Sequence, residues 1–231
     1  MTQSNMHEAD AVMPKLPKDP NQMLICEIYQ SIQGEGLQMG LPTAFVRVTG
    51  CPLRCKWCDE PKALTDGSVM TLDEIKGKIT IYPTRNVCLT GGEPLAHKQA
   101  SRLMRMLADD GFSVVVETSG ALPIDELPRI PGITISMDVK CPSSGMQDRM
   151  KLENLRQLRI WDQVKFVIAD RTDYDYAKRI MHEHGIPATI IMQPEGGREM
   201  LPLVDWVLED GLNVRVLPQL HKMIWGDKKG V

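Results

Sequence analysis

The sequence predicts an α/β fold, an incomplete (βα) barrel with about six parallel strands. Short apolar segments rich in β-branched residues alternate with helical patterns, and from Val87 onward the alternation repeats roughly every 25 residues. Several of these segments are apolar throughout, which indicates burial on both faces. Polar side chains follow the segments where each one ends. Because the carboxyl ends of parallel strands meet at one rim, we expect the functional site there.

The strands and helices follow in order along the chain. Thr71 and Glu74 form a capping-box pattern at the start of "TLDEIKGKI", and "HKQASRLMRMLADDG" has helical spacing and stops at Gly111. Two more helices are predicted in "TDYDYAKRIMHEHG" and "EMLPLVDWVLEDG", each closing on a glycine. The predicted strands are 23–29, 43–50, 86–90, 113–118, 133–139, 163–169, 188–193 and 213–218.

Residues 1–22 are polar, contain prolines and show no periodicity, so we predict a flexible leader. Residues 23–231 are then one domain, a size at which no further boundary is required.

The net charge excludes two classes of partner. The formal charge is −3, from 27 basic and 30 acidic residues, which gives no basic surface for nucleic acid or an anionic membrane. The N-terminus has no basic and apolar signal-peptide regions, and no run is long enough to span a bilayer. We therefore expect a cytoplasmic protein with a small-molecule substrate.

The segment "CPLRCKWCDEP" carries the most specific chemistry in the chain. Cys51, Cys55 and Cys58 form a C-x3-C-x2-C pattern, and the other three cysteines do not repeat its spacing. A structural zinc site normally takes four ligands. Three thiolates suit a [4Fe-4S] cluster whose fourth iron stays open, whereas an electron carrier would bind all four irons with cysteine. A zinc knuckle remains the alternative to the cluster.

The cysteine pattern, with Trp57 before its last cysteine and "GGEP" about 30 residues later, resembles the radical S-adenosylmethionine (SAM) superfamily. This resemblance implies that the open iron binds the methionine part of SAM and that a 5′-deoxyadenosyl radical abstracts a hydrogen atom. It also implies that Trp57 lies beside the adenine. Gly91, Gly92 and Glu93 would receive the methionine ammonium.

A longer stretch is more discriminating. "EIYQSIQGEGLQMGLPTAFVRVTGCPLRCKWCDEP", followed by "LTGGEPL", "ETSG", "DVKCPSSG" and "PQLHK", resembles the 7-carboxy-7-deazaguanine synthase family from about residue 24 to 222. The resemblance implies conversion of 6-carboxy-5,6,7,8-tetrahydropterin to 7-carboxy-7-deazaguanine with loss of ammonia, on the route to queuosine or archaeosine. It also implies a homodimer and an external electron donor of the flavodoxin or ferredoxin type.

Residue chemistry and the resemblance together give the candidate site. Gln33 and Glu35 suit the amide edge and amino group of a pterin, and Arg47 suits its carboxylate. The predicted catalytic residues are Glu35, Arg47 and Glu117. The predicted substrate-binding residues are Ile32, Gln33, Gly34, Glu35, Arg47, Thr90, His221 and Lys222. The predicted cofactor-binding residues are Trp57, Cys58, Asp59, Gly91, Gly92, Glu93, Ser119, Asp138, Val139, Lys140, Gln193, Pro194, Glu195 and Gly196.

Each group also has a structural interpretation. "GEG" is typical of an ordinary turn, and Arg47 in "FVRVTG" is compatible with a strand residue facing solvent. Asp138 and Lys140 are compatible with an ion pair at the rim of the barrel.

One position departs from the family pattern. Where the family commonly has a serine or threonine that binds Mg²⁺, two residues after the last cysteine, this chain has Glu60. Carboxylate oxygen is a good magnesium ligand, so Glu60 either binds the metal or lets the enzyme work without it.

A second enzyme class shares the cysteine pattern. Activases that generate a glycyl radical on a partner protein have similar length, but they need a docking face in place of a pterin pocket. The "QGEG" and "FVRVTG" segments favour the pocket.

Overall fold

A computed structural model describes residues 13–197, 199–226 and 228. Nine strands form one sheet in the order β3-β1-β2-β4-β5-β6-β7-β8-β9. They are β1 (Gln22–Ile32), β2 (Pro42–Val48), β3 (Ser68–Thr71), β4 (Asn86–Gly91), β5 (Ser113–Thr118), β6 (Ile133–Val139), β7 (Gln163–Ile168), β8 (Thr189–Pro194) and β9 (Arg215–Val216).

The helices lie between the strands. They are α1 (Leu72–Thr80), α2 (Ala100–Asp109), α3 (Arg171–Glu183), α4 (Leu201–Glu209) and α5 (Leu220–Trp225). Short 3-10 helices occupy Pro61–Leu64, Pro94–Ala96, Pro142–Ser144, Gln147–Arg149 and Leu152–Gln157. None of the described helices is long and apolar enough to cross a membrane.

The sheet is an incomplete barrel, as predicted. β1 is antiparallel to β2 and β3, whereas β2 and β4 to β9 run parallel to one another. Six of the parallel strands have six or seven residues, and β9 has two. β3 and β9 remain at the two edges, so the sheet does not close on itself. Every strand from β4 to β9 therefore ends on the same rim.

Burial explains why the parallel strands hold together. All six residues of β7 are buried, as expected for a strand covered on both faces. α2 contributes Leu103, Met104 and Leu107 to the same core, at the spacing of one helix face. α1 begins with the predicted capping box, in which Thr71 Oγ1 accepts from the Glu74 N–H and Glu74 accepts from the Thr71 N–H.

The structure differs from the sequence prediction in several places. β9 is shorter than the predicted strand 213–218, and neither the edge strand β3 nor the helix α5 was predicted. Of the predicted flexible leader, residues 1–12 lie outside the described residues. Residues 13–21 form no helix or strand, but Gln99 Nε2 donates to the carbonyls of Pro17 and Asp19 at 3.3 and 2.7 Å. This described part of the leader is thereby attached to the domain.

Candidate active site

A cavity of about 340 Å³ lies at the carboxyl ends of the parallel strands. The predicted site residues that line it are Ile32, Gln33, Gly34, Glu35, Arg47, Cys51, Cys55, Trp57, Cys58, Asp59, Glu60, Thr90, Gly91, Gly92, Glu117, Ser119, Asp138, Lys140, Gln193, Glu195, Gly196, His221 and Lys222. Only Glu93, Val139 and Pro194 of the predicted site residues are outside its lining. The structure thus gathers residues from almost the whole chain around one cavity.

The cysteine loop forms one wall. It leaves β2 through Gly50, whose N–H donates to the Ala63 carbonyl at 2.7 Å and whose φ of 98° favours glycine. Cys51, Cys55 and Cys58 all line a second cavity of about 130 Å³ next to the first. Burial raises the pKa of the Cys51 thiol to about 11 and also raises that of Cys55, so binding a metal cluster as thiolates releases protons.

Three thiols around one cavity are the donor set of a [4Fe-4S] cluster with one open iron. Among the residues that the structure describes, no three Cys, His, Asp or Glu side chains converge on a position for a single metal ion. The fit to a cluster therefore rests on the type and number of the donors and on the cavity that they share.

The "GGEP" turn packs against the start of the cysteine loop. A Cβ atom on Gly91 would lie 2.4 Å from the backbone N and O of Val48, and one on Gly92 would lie 2.2 Å from the Gly50 carbonyl oxygen. Both glycines are therefore required by the close approach of two backbone segments. The sequence prediction had explained them by the approach of a ligand alone.

Glu93 is the main departure from the predicted contacts. Its side chain is completely buried and its carboxylate accepts from the Leu95 N–H, the Thr118 hydroxyl, and both the N–H and hydroxyl of Ser119, at 2.5 to 3.0 Å. Since these donors occupy both oxygens, Glu93 joins the "GGEP" turn to the end of β5. Its predicted contact with an ammonium group has no counterpart in the lining of the cavity.

Trp57 is held from two sides. Lys140 Nζ lies 5.5 Å from its ring centroid, and Trp57 Nε1 donates to Ser143 Oγ at 3.4 Å. Ser143 in turn donates through its hydroxyl and its N–H to the buried carboxylate of Asp173 in the first turn of α3. Neither was predicted as a site residue: Ser143 lies in the "DVKCPSSG" segment without an assigned role, and Asp173 lies in a predicted helix outside the motifs.

Buried polar atoms without a partner point into the same cavity. Gln193 is completely buried, yet both of its amide atoms lack a hydrogen-bond partner within the described part of the chain. The Asp138 Oδ1 atom is also buried without a hydrogen-bond partner among the described residues, while Oδ2 accepts from Lys140 at 2.7 Å. Since buried polar atoms are normally paired, these atoms indicate a polar ligand here. The rim ion pair considered from sequence is therefore real, and it belongs to the site.

The opposite wall begins with the "IQGEG" loop after β1. Gln33 is buried and donates to Glu117 Oε1 at 3.4 Å, while Thr90 donates to the other oxygen of Glu117 at 2.8 Å. A Cβ atom on Gly34 would lie 2.0 Å from His221 Nδ1. This loop is thus the turn between β1 and β2, and it also lines the cavity and packs on α5.

Arg47 points into the cavity, so the solvent-facing interpretation is wrong. Only 16% of its side chain is exposed. Its Nε donates to Glu27 at 2.8 Å and its Nη2 donates to the Tyr29 hydroxyl at 3.0 Å, while the Tyr29 ring stacks on Phe45. These partners fix the plane of the guanidinium group at the cavity wall.

Lys165 and Gln219 line the cavity but were not predicted from the sequence. Both contact Glu35, which was predicted. Lys165 forms an ion pair with Glu35 Oε2, and Gln219 Nε2 donates to Glu35 Oε1 at 2.6 Å. A signal for Lys165 existed in the sequence. A lysine inside the apolar strand "QVKFVI", buried on both faces, requires a charged partner.

Comparison with known proteins places this arrangement in a family. A model described as the radical SAM superfamily matches residues 45–206. The 7-carboxy-7-deazaguanine synthases of Thermoplasma acidophilum and Koribacter versatilis are 41% and 39% identical over 209 and 228 residues. Each match covers 90% of this chain and 100% of the relative. The chain belongs to the 7-carboxy-7-deazaguanine synthase family.

Solved structures agree with this fold. QueE from Escherichia coli matches with a TM-score of 0.69 at 24% identity, covering 84% of this chain and 92% of that one. SuiB from Streptococcus suis bound to S-adenosylmethionine matches with a TM-score of 0.52 at 11% identity, covering 73% of this chain and 48% of that one. For a 7-carboxy-7-deazaguanine synthase, the superfamily implies a [4Fe-4S] cluster and SAM as cofactors. The three cysteines and the unpaired atoms of Gln193 and Asp138 fit these two groups.

Proposed function

We propose that this protein converts 6-carboxy-5,6,7,8-tetrahydropterin to 7-carboxy-7-deazaguanine with loss of ammonia. One observation carries the proposal: the cysteine loop and the Gln33–Glu35–Arg47 group line the same cavity. Family membership at 41% identity supports the same activity. Substrate and product differ by one ammonia, so the overall reaction needs no net oxidant or reductant.

The two walls of the cavity have different functions: one holds the cofactors and the other orients the substrate. The cluster and SAM, when bound, supply the hydrogen-abstracting chemistry. Cys51, Cys55 and Cys58 would hold the cluster, while Trp57, Asp138 and Gln193 would contact SAM. The chain's own task toward the substrate is to orient it, since a radical abstracts the hydrogen atom that is held nearest.

The substrate wall offers a partner for each polar part of the pterin. Glu35 accepts from the amino group and ring N–H, and Gln33 both donates and accepts along the amide edge. Arg47, with its Nε held by Glu27, presents the remaining N–H groups of its fork to the carboxylate. Thr90, Glu117, His221 and Lys222 complete this part of the site.

Glu60 is our candidate Mg²⁺ ligand. Its side chain lines both cavities, between the cysteine loop and Arg47. A carboxylate oxygen there suits Mg²⁺ shared with the substrate carboxylate, because this ion prefers carboxylate and water oxygens. Turnover that is unchanged after removal of divalent cations would contradict metal binding by Glu60.

We further propose a cytoplasmic homodimer that takes electrons from a protein donor of the flavodoxin or ferredoxin type. The cysteine content of the loop supports a reducing compartment, since exposed thiols such as Cys58 remain free there.

The test is an anaerobic assay of the reconstituted protein with SAM, a reductant and 6-carboxytetrahydropterin. 7-Carboxy-7-deazaguanine is followed by mass spectrometry. We expect product from the unaltered protein and none from Cys55→Ala, because the two thiolates that remain are not sufficient to hold the cluster. Cys26→Ala, which removes a partly exposed cysteine of β1 outside the loop and outside the cavity lining, is the matched control.

The two products separate the possible outcomes. If 5′-deoxyadenosine forms without any deazaguanine, the radical SAM assignment stands and the substrate assignment fails. Formation of a glycyl radical on an added partner protein would then favour the activase alternative.

A further inference from the structure

Lys165 has an unusual position for a lysine. It lies in the middle of β7, where every neighbouring residue is buried, and only 5% of its side chain is exposed. Its ammonium group reaches the cavity and forms an ion pair with Glu35 Oε2, across 130 residues of sequence. Burying a lysine costs free energy unless a charged partner compensates, so the position calls for a functional explanation.

The carboxylate of Glu35 is held at both oxygens. Oε2 pairs with Lys165, and Oε1 accepts from Gln219 Nε2 at 2.6 Å. The Glu35 N–H donates to Gln33 Oε1 at 3.2 Å, which fixes the backbone as well. With 17% of the side chain exposed, the remaining lone pairs of the carboxylate face the cavity. Glu35 is thus presented as a fixed acceptor.

The charges of Glu35 and Lys165 determine which hydrogen bonds Glu35 can make with a ligand. Burial by itself would raise the pKa of Glu35, but the charge of Lys165 and hydrogen bonds from Lys165 and Gln219 lower it to about 2. Burial would lower the pKa of Lys165, but Glu35, Glu117 and Asp138 raise it. The other titratable group facing Glu35 is His221 from α5. The pair therefore stays ionised at neutral pH, and Glu35 only accepts hydrogen bonds.

We propose that Lys165 is a specificity-determining positioning residue: it keeps Glu35 ionised and aligned, and so selects a ring edge that offers two adjacent donors. A pterin presents such an edge through its ring N–H and amino group. A ring with a carbonyl in place of the amino group presents an acceptor to the carboxylate and is rejected, because the buried anion is then left unpaired. This inference rests on the proposed function.

A structural role for Lys165 makes a different prediction. If the lysine only held β7 and the "IQGEG" loop together, replacing it would lower stability and all ligand binding equally, at every pH. A role through the charge of Glu35 requires an effect confined to the pterin, dependent on pH and rescued by another cation.

The experiment compares Lys165→Met and Lys165→Arg with the unaltered holoenzyme. The matched control is Lys76→Met, which removes the ion pair between Lys76 of α1 and Asp110 at the end of α2, outside the lining of the cavity. Equilibrium binding of 6-carboxypterin and 6-carboxylumazine is measured by fluorescence near pH 7, and KM and kcat for the tetrahydropterin are measured from about pH 6 to about pH 9. SAM binding and cluster absorbance report on the rest of the site.

In Lys165→Met only the Gln219 hydrogen bond and the nearby His221 still oppose the effect of burial on Glu35, so the pKa of Glu35 rises and its carboxyl is protonated at lower pH. We expect KM to increase at least about tenfold near pH 7 and to recover as the pH rises through the raised pKa. Preference for 6-carboxypterin over 6-carboxylumazine should fall by a similar factor. Lys165→Arg should keep a KM and a preference for 6-carboxypterin close to those of the unaltered protein. SAM binding should not change in either variant.

Three results would overturn the inference. One is an unchanged KM and preference in Lys165→Met, another is a loss that is equal at all pH values, and the third is equal binding of the two ring systems by the unaltered protein. The last needs no variant, so it applies even if Lys165→Met fails to fold. If the unaltered holoenzyme neither binds 6-carboxypterin nor converts the substrate, the proposed function itself fails.

Discussion

The two walls of the cavity are built in different ways. The cysteine wall is local: its three thiols lie within the segment 51–58, and its shape comes from backbone contacts of Gly50, Gly91 and Gly92. The substrate wall is assembled from the loop after β1 together with five elements, which are β2, β4, β5, β7 and α5. Its key contacts join residues 130 and 184 positions apart in the chain.

This difference has a consequence for function. A short loop held mainly by backbone hydrogen bonds is sensitive to only a few changes outside it, such as changes in the side chains that place Trp57. A wall made of side chains from five elements depends on each partner, and a single replacement there alters which substrate is accepted. We therefore expect changes on the two walls to affect different ligands.

Arg47→Lys should give the largest separation of the two walls. A lysine ammonium lacks the planar fork, so it cannot serve Glu27, Tyr29 and a substrate carboxylate together. We expect kcat/KM for the pterin to fall about 100-fold, with SAM affinity unchanged. Steady-state kinetics and equilibrium SAM binding measure the two effects, and Arg105→Lys on the exposed surface of α2 is the control. A parallel loss of SAM affinity would show that the walls are not separate.

Asp173→Asn should act on the opposite wall. The amide replaces one of the carboxylate oxygens that accept from Ser143 and Ala169, so Ser143 loses the orientation in which it receives the Trp57 N–H. We expect SAM affinity of the holoenzyme to fall about tenfold while KM for the pterin stays constant.

The control for that variant lies on the same helix. Asp175→Asn removes an exposed ion pair with Arg171 and should change neither ligand's binding. Unchanged SAM affinity in Asp173→Asn would show that Asp173 of α3 does not position Trp57 for SAM binding.

Thr71→Ala is remote from both walls, so it should change the stability of the protein without changing ligand binding. It removes the hydroxyl that caps α1, and we expect the free energy of unfolding to fall by about 1 kcal/mol with no change in either ligand's binding. Denaturant unfolding measures this. Thr80→Ala, at the other end of α1, should cost less, and an equal cost would mean that the cap contributes nothing special.

Much of the site could be predicted without the structure. The motifs gave the cysteine loop, the "GGEP" turn and the "IQGEG" loop, and these segments do meet at one cavity. Glu93 shows a contact that the motif does not state, because its carboxylate accepts hydrogen bonds from Thr118 and Ser119. Lys165 shows what a motif omits, since it stands alone in an apolar strand.

The sequence by itself determined the α/β class, the parallel strands with their buried faces, the capped helix α1 and the spacing of the three cysteines that share one cavity. Each of these follows from side-chain periodicity or from spacing within a few residues, where the chain has little freedom. The tertiary structure decided the pairing of Glu35 with Lys165 and Gln219, the relay from Asp173 through Ser143 to Trp57, and the role of Glu93. Those contacts depend on which strands become neighbours, and local sequence does not encode the distance between residues that only the folded sheet brings together.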